Sequence, residues 1–305
     1  MDVGVIGVGA MGRNHARVYS ELKAVDDVFL HDIDTAAAES VAAAHGAEAC
    51  DTLDALLRRV DAVSLCAPTP HHASLAAAVV DAGVHLLIEK PIAATAAEAR
   101  TMTARIPDDL VVGVGHIERF NPVVDEITRI VTRPLYMEIR RHNPASGRIT
   151  DASVIEDLMI HDIDLVAHVL CDDLRLVAGA GDADIAVALF QGDGVPVSIS
   201  ASRKASRKIR SIYIEEEDAT IEGDFMSQEV FVYRKPGEYR MDRERYLQEN
   251  VIEKVLVNRL EPLKRELEVF GDCIRRGHPF PVTPAQATAN LALCEEITAA
   301  QRGGR

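Results

Sequence analysis

At 305 residues with 48% hydrophobic content, the chain is long enough to fill two cores, and its formal charge of -15 excludes a general nucleic-acid binder, which needs a basic surface to meet phosphates. The opening MDVGVIG lacks the positive segment of a secretory signal, and the most apolar stretch, 75–88, is interrupted by Asp81 and His85, so a cytoplasmic protein outside any membrane is expected. Five scattered cysteines without a CxxC pair predict neither a disulfide framework nor a metal site. Residues 2–118 alternate apolar strands with alanine-rich helices: VGVIG, a helix from about Met11, VFLHD, a helix over 36–45, DAVSLCAP, a helix over 72–82, HLLIEKP, a helix over 94–105, and LVVGVG. That alternation predicts a parallel, doubly wound α/β sheet in a first domain, residues 1–120.

From residue 121 the pattern changes. A helix over 122–131, a strand over 135–142 and an apolar helix over 154–170 lead into short strands at 175–180, 185–191, 195–203, 209–215, 219–224 and 229–234. Their close spacing predicts an antiparallel meander, and helices over 261–276 and 284–301 close a second, α+β domain, residues 121–305.

VGVIGVGAMG places Gly7, Gly9 and Gly12, with Met11 among them, between a strand and a helix. There glycines permit the tight turn and let backbone N–H groups approach a pyrophosphate. The next strand ends at Asp32, twenty residues beyond Gly12, where a carboxylate can accept bonds from a ribose hydroxyl. Ile33 rather than an arginine follows it, so a 2'-phosphate would be repelled and NAD is expected over NADP. CAPTPHH ends another strand, placing Ala67, Pro68 and His72 at the same sheet edge, and LLIEKP brings Glu89 and Lys90 there.

The apolar helix carries a second constellation. At about 100° per residue, Asp157, His161, Asp164 and His168 fall within roughly 60° of one another as one polar stripe, with Glu156 and Asp162 off it. Carboxylates and imidazoles on a buried helix need partners or a substrate.

Together these stretches resemble the glucose-fructose oxidoreductase / inositol dehydrogenase / MocA family of nicotinamide-dependent oxidoreductases: GVGAMG, P-x-x-x-H at Pro68 to His72, AGVHLLIEKPIA, and D-x-x-x-H at Asp157 to His161. The resemblance implies a Rossmann domain followed by a mixed, largely antiparallel sheet that serves as an oligomer interface, so a homodimer or homotetramer is expected. It implies Lys90, Asp157 and His161 as the catalytic group. GHIERFNP, with Arg119 and Asn121, and RITD, with Arg148, are similar to the subgroup that oxidises UDP-linked N-acetylhexosamines at the 3-position. A sugar or nucleotide sugar is therefore the expected substrate, contacted by Arg119, Asn121, Arg148 and the catalytic group. His142-Asn143-Pro144 departs from that subgroup, where a glycine before the proline is expected. The basic run Arg203 to Arg210 is expected to be a strand that is solvated or at a subunit contact, with binding of a diphosphate the sharper alternative. Oxidation of inositol or a free sugar, and a non-catalytic NAD-binding sensor, stand as competing functions.

Overall fold

A computed structural model describes residues 1–144, 152–237, 240–242, 245–247 and 250–303. The chain divides into two units, Met1–Ile117 with Glu261–Ala292, and Glu118–Leu260 with Leu293–Arg305. The return of 261–292 to the first unit corrects the expectation that everything after residue 120 belongs to the second.

In the first unit β1 (Val3–Ile6), α1 (Ala10–Glu21), β2 (Val28–His31), α2 (Thr35–His45), β3 (Glu48–Ala49), α3 (Leu53–Leu57), β4 (Ala62–Leu65), α4 (His72–Asp81), β5 (His85–Glu89), α5 (Ala96–Thr103) and β6 (Val112–Gly115) follow in turn. The sheet is parallel throughout in the order β3-β2-β1-β4-β5-β6. β1, β4 and β6 are buried at every position, as a parallel sheet covered on both faces requires, and so they read as unbroken apolar runs. The strand order reverses between β1 and β4, the switch point where open α/β sheets bind ligands beyond their carboxyl ends. β3 and α3 are too short to register in the sequence pattern.

The second unit begins with α6 (Pro122–Ile130) and β7 (Tyr136–His142), and its next helical stretch is irregular. The expected single α-helix is a π turn (Ile155–Met159), an α segment, α7 (Ile160–Leu165), and a second π turn (Val166–Leu170). β8 (Arg175–Gly181), β9 (Ile185–Gly192), β10 (Val195–Ser202), β11 (Ile209–Glu215), β12 (Ala219–Asp224) and β13 (Glu229–Arg234) match the expected strands closely. β14 (Arg240–Asp242), β15 (Arg245–Leu247) and β16 (Ile252–Val255) were not expected, and α8 (Pro262–Arg276) and α9 (Pro284–Gly303) end the chain.

The large sheet runs β16-β13-β12-β11-β7-β10-β9-β8, antiparallel except where β7 lies parallel to β10, so it is mixed and largely antiparallel. One face carries the core: Met137, Ile139, Phe190, Ile199, Ile212 and Ile221 pack with Val123 and Ile127 of α6, with Ile155 and Ile163 of the irregular helix, and with Ile297 of α9. The alternation explains it, since β9 is buried at every second residue and leaves Ile185, Val187 and Leu189 on the open face, 40–46% exposed. Residues 203–208 form the connection between β10 and β11 rather than a strand, which corrects that expectation. There Lys204 pairs with Asp184, and Arg203 donates to the Ala152 carbonyl.

Candidate active site

The first unit gathers its candidate residues at the carboxyl ends of β1, β2, β4 and β5. Gly7 has φ +87°, and a Cβ there would lie 2.7 Å from the Ala67 nitrogen. A Cβ on Gly12 would lie 1.8 Å from the Gly7 carbonyl oxygen, so internal packing demands glycine at both positions. Gly9 differs, because a Cβ there meets nothing within 4 Å. It is exposed at the start of α1, where no side chain caps the helix and no acidic residue occupies the first turn, so the free N–H groups and the helix dipole face an open cradle. Met11 is half-buried in that first turn.

Asp32, half-buried past β2, has one carboxylate oxygen on the Val8 N–H at 2.7 Å and the other on the Asp34 N–H at 2.9 Å. These bonds fix the carboxylate while each oxygen keeps a lone pair for a ribose hydroxyl. Ile33 beside it is 99% exposed, an apolar side chain with nothing of the protein to cover it. A dinucleotide fits this set: pyrophosphate at Gly9 and the α1 terminus, ribose at Asp32, and an apolar ring face against Ile33. Ala67, half-buried, and Pro68, exposed, follow β4 beside Gly7.

Three residues expected near the cofactor or substrate are otherwise engaged. Glu89, 8% exposed, holds His15 Nε2 at 3.0 Å and accepts the Lys90 N–H at 3.2 Å. Burial pushes its carboxyl up, but His15 and Lys90 outweigh it and hold the pKa below the ordinary value. His72 is 1% exposed, its ring nitrogens 2.9 Å from the Pro91 carbonyl and 2.7 Å from that of Ala67. Burial lowers its pKa against the pull of those carbonyls. Glu89 and His72 therefore brace Lys90 from both sides, through its own N–H and through Pro91, instead of lying open to a ligand. Lys90 itself is half-buried, and its bond to Pro91 is cis.

Asn121, in the second unit, is the third. Its Oδ1 caps α6 by accepting from the Val123 N–H, and its Nδ2 donates to Glu118 and to the Phe225 carbonyl, all at 3.1 Å. With the side chain 97% enclosed and spent on the fold, a substrate contact is corrected to a structural cap. Arg119 donates through two nitrogens to Asp164 at 2.6 and 2.7 Å, and both side chains are nearly inaccessible. The expected role of Arg119 toward substrate gives way to a buried ion pair with Asp164 of the polar stripe. Arg148 lies outside the described residues.

The wider π turns break the even spacing on which one stripe depended. Asp157, His161 and His168 remain half-buried, while Asp164 turns into the interior. Asp162, expected off the stripe, is wholly buried against Arg141 of β7. The sequence offered no signal for Arg141, because its partners are distant in the chain and its strand position is ordinary.

The comparisons agree with this anatomy. The profile of an oxidoreductase family with an NAD-binding Rossmann fold matches residues 1–118. UDP-N-acetylglucosamine 3-dehydrogenase of Acidithiobacillus ferrooxidans is 35% identical over 244 residues, 77% of this chain and 77% of that protein. Its solved structure superposes with a TM-score of 0.87 at 31% identity, covering 99% of this chain and 98% of that one. Inositol 2-dehydrogenase of Paracoccus denitrificans is 31% identical over 185 residues, 57% of this chain and 55% of that protein. Levoglucosan dehydrogenase, solved with NADH and L-sorbose, shares the fold at 18% identity with a TM-score of 0.83, covering 99% of this chain and 97% of that one. The chain is an oxidoreductase of the glucose-fructose oxidoreductase / inositol dehydrogenase / MocA family, and NAD is its cofactor.

Proposed function

We propose that the protein oxidises a secondary hydroxyl of a sugar with NAD, and that the substrate is a UDP-N-acetylhexosamine oxidised at its 3-position. The observation that carries the substrate is the 35% identity to a UDP-N-acetylglucosamine 3-dehydrogenase over 77% of both chains. NAD, when bound, accepts the hydride from the carbon bearing the hydroxyl. His161 takes the hydroxyl proton, a task suited to an imidazole whose ordinary pKa lies near neutrality. Asp157, one turn earlier, orients that ring and stabilises it once protonated. Lys90 donates to the same oxygen and stabilises the negative charge that develops there. Asp32 selects NAD over NADP by accepting the ribose hydroxyls.

NADH formation, followed by absorbance with NAD and a panel of UDP-sugars, free sugars and inositols, tests the proposal. Turnover with UDP-N-acetylglucosamine or its epimers supports it. Turnover confined to inositols favours the second reading, which rests on the 31% identity to an inositol 2-dehydrogenase. Tight NAD binding with silence across the panel favours a sensor.

The open face at Ile185, Val187 and Leu189 supports a homo-oligomer formed through the large sheet, since apolar residues grouped on one face tend to be covered. Val187→Glu is expected to lower the mass measured by light scattering; an unchanged mass removes that role from this face.

A further inference from the structure

We infer that Arg141 is a positioning residue for His161, acting through Asp162; this rests on the catalytic reading of His161 above. Arg141 is 1% exposed on β7. Its Nε lies 3.0 Å from both oxygens of Asp162, and its Nη2 lies 2.6 Å from one of them. Burial raises the Asp162 carboxyl above its ordinary value in spite of Arg141, and, against burial, the Asp162 and Glu118 charges hold the Arg141 guanidinium well above its own; the forked contact at 2.6–3.0 Å is that of an ion pair.

Asp162 directly follows His161. In an α segment neighbouring side chains are about 100° apart on a rigid backbone, so a forked clamp on one sets the azimuth of the other. The clamp has a particular task here. Ile160–Leu165 is joined at both ends to π turns, which interrupt the regular ladder that would otherwise carry register from one turn to the next. Arg119 holds the same segment two residues further on, at Asp164.

The arrangement is electrostatically expensive. Arg141 and Arg210 are direct partners across β7 and β11, and like charges placed opposite one another repel. Glu118 reconciles them, accepting from Arg141 at 2.8 Å, from Arg210 at 3.3 Å and from Asn121 at 3.1 Å. Arg210 also feels the charge of Asp157. Apolar residues of similar shape commonly match or exceed the stability of such a buried ion cluster. Stability alone does not call for such a cluster, and orientation of the D-x-x-x-H helix gives it a task.

The test replaces the pair with apolar residues, Arg141→Met with Asp162→Leu, leaving Glu118 paired with Arg210. Two readouts are followed beside the melting temperature. One is the titration of the His161 Cε1–H proton resonance, assigned by its loss in His161→Asn. The other is kcat, with KM for NAD, using UDP-N-acetylglucosamine. The expected result is a folded protein with unchanged KM for NAD, a shifted or broadened His161 resonance, and kcat down about 100-fold, the scale of a misplacement near 1 Å. Asp162→Asn, which still accepts from Arg141, is expected to recover most of kcat.

A folded double variant with native His161 titration and native kcat overturns the inference. If it fails to fold, Arg141→Lys keeps the charge and loses the fork, and native values for both readouts in that variant overturn it equally. The titration needs no substrate, so it decides the inference even where the dehydrogenase assay is silent. His161→Ala, assayed alongside, separates the two claims: full activity there removes the catalytic reading, whereas inactivity there with an unaffected Arg141 variant removes only the positioning role.

Discussion

His15 on α1 and Glu89 at the end of β5 meet at 3.0 Å in the interior of the first unit, with Glu89 also receiving the Lys90 N–H. The pair therefore fixes the backbone of the proposed electrophilic lysine. Glu89→Gln removes the charge and leaves His15 with a weaker partner, an expected cost of about 1–3 kcal/mol. Because the folded pKa of Glu89 is depressed, its contribution is present above the unfolded value near 4.3 and is lost as pH falls through the lower folded value. Melting temperature followed from pH 6 to 3 should fall less steeply in the variant, and parallel curves would show that the pair contributes nothing to acid stability.

His72 titrates in a different window. Burial lowers its folded pKa, so below about pH 6.5 the unfolded chain takes up the proton more readily and the fold loses stability as pH drops. His72→Gln cannot be protonated, and its stability should lack the decline between pH 6.5 and 5. The same denaturant midpoint series for both proteins checks this, and an identical slope in the variant would count against it.

Gly9 and Gly12 should separate ligand binding from folding. A Cβ at Gly12 collides with the Gly7 carbonyl, so Gly12→Ala is expected to cost at least about 1–3 kcal/mol. A Cβ at Gly9 meets nothing in the protein, so Gly9→Ala should melt like the parent while NAD affinity, measured by calorimetry, drops about tenfold or more. Undiminished affinity in Gly9→Ala would move the pyrophosphate away from this turn.

Asp32→Ser removes the charge proposed to accept the ribose hydroxyls. Hydrogen bonds to a charged group are worth about 1.5–3 kcal/mol, so affinity for NAD should fall about 10–100-fold while that for NADP falls less or rises. An unchanged ratio of the two dissociation constants would remove Asp32 from cofactor selection.

Lys90→Met and His161→Ala should each lower turnover by about 10²–10⁴-fold with NAD affinity preserved. Steady-state assays paired with NAD titrations check this. Variants that keep most of the rate would end the catalytic assignment.

Much of this architecture is local and therefore written plainly in the chain. The first parallel sheet, β8 to β13 and the two closing helices follow from hydrophobic period and glycine placement, because a strand buried on both faces must be apolar throughout and one buried on a single face must alternate. The cofactor turn is legible for the same reason: the positive φ of Gly7 and the approach of Gly12 to the Gly7 carbonyl both lie within one strand-turn-helix unit.

The tertiary structure decided what depends on partners far apart in sequence. Asn121, Arg119 and Asp164 look like substrate groups in one dimension, yet burial forces each polar atom to find a partner, and those partners include Phe225, 104 residues beyond Asn121, and Asp164, 45 beyond Arg119. The irregular helix shows the same limit. Even 100° spacing is a property of an α-helix, and the two π turns and the Arg141 clamp on Asp162 arise from how that segment packs on the large sheet, which no local pattern records.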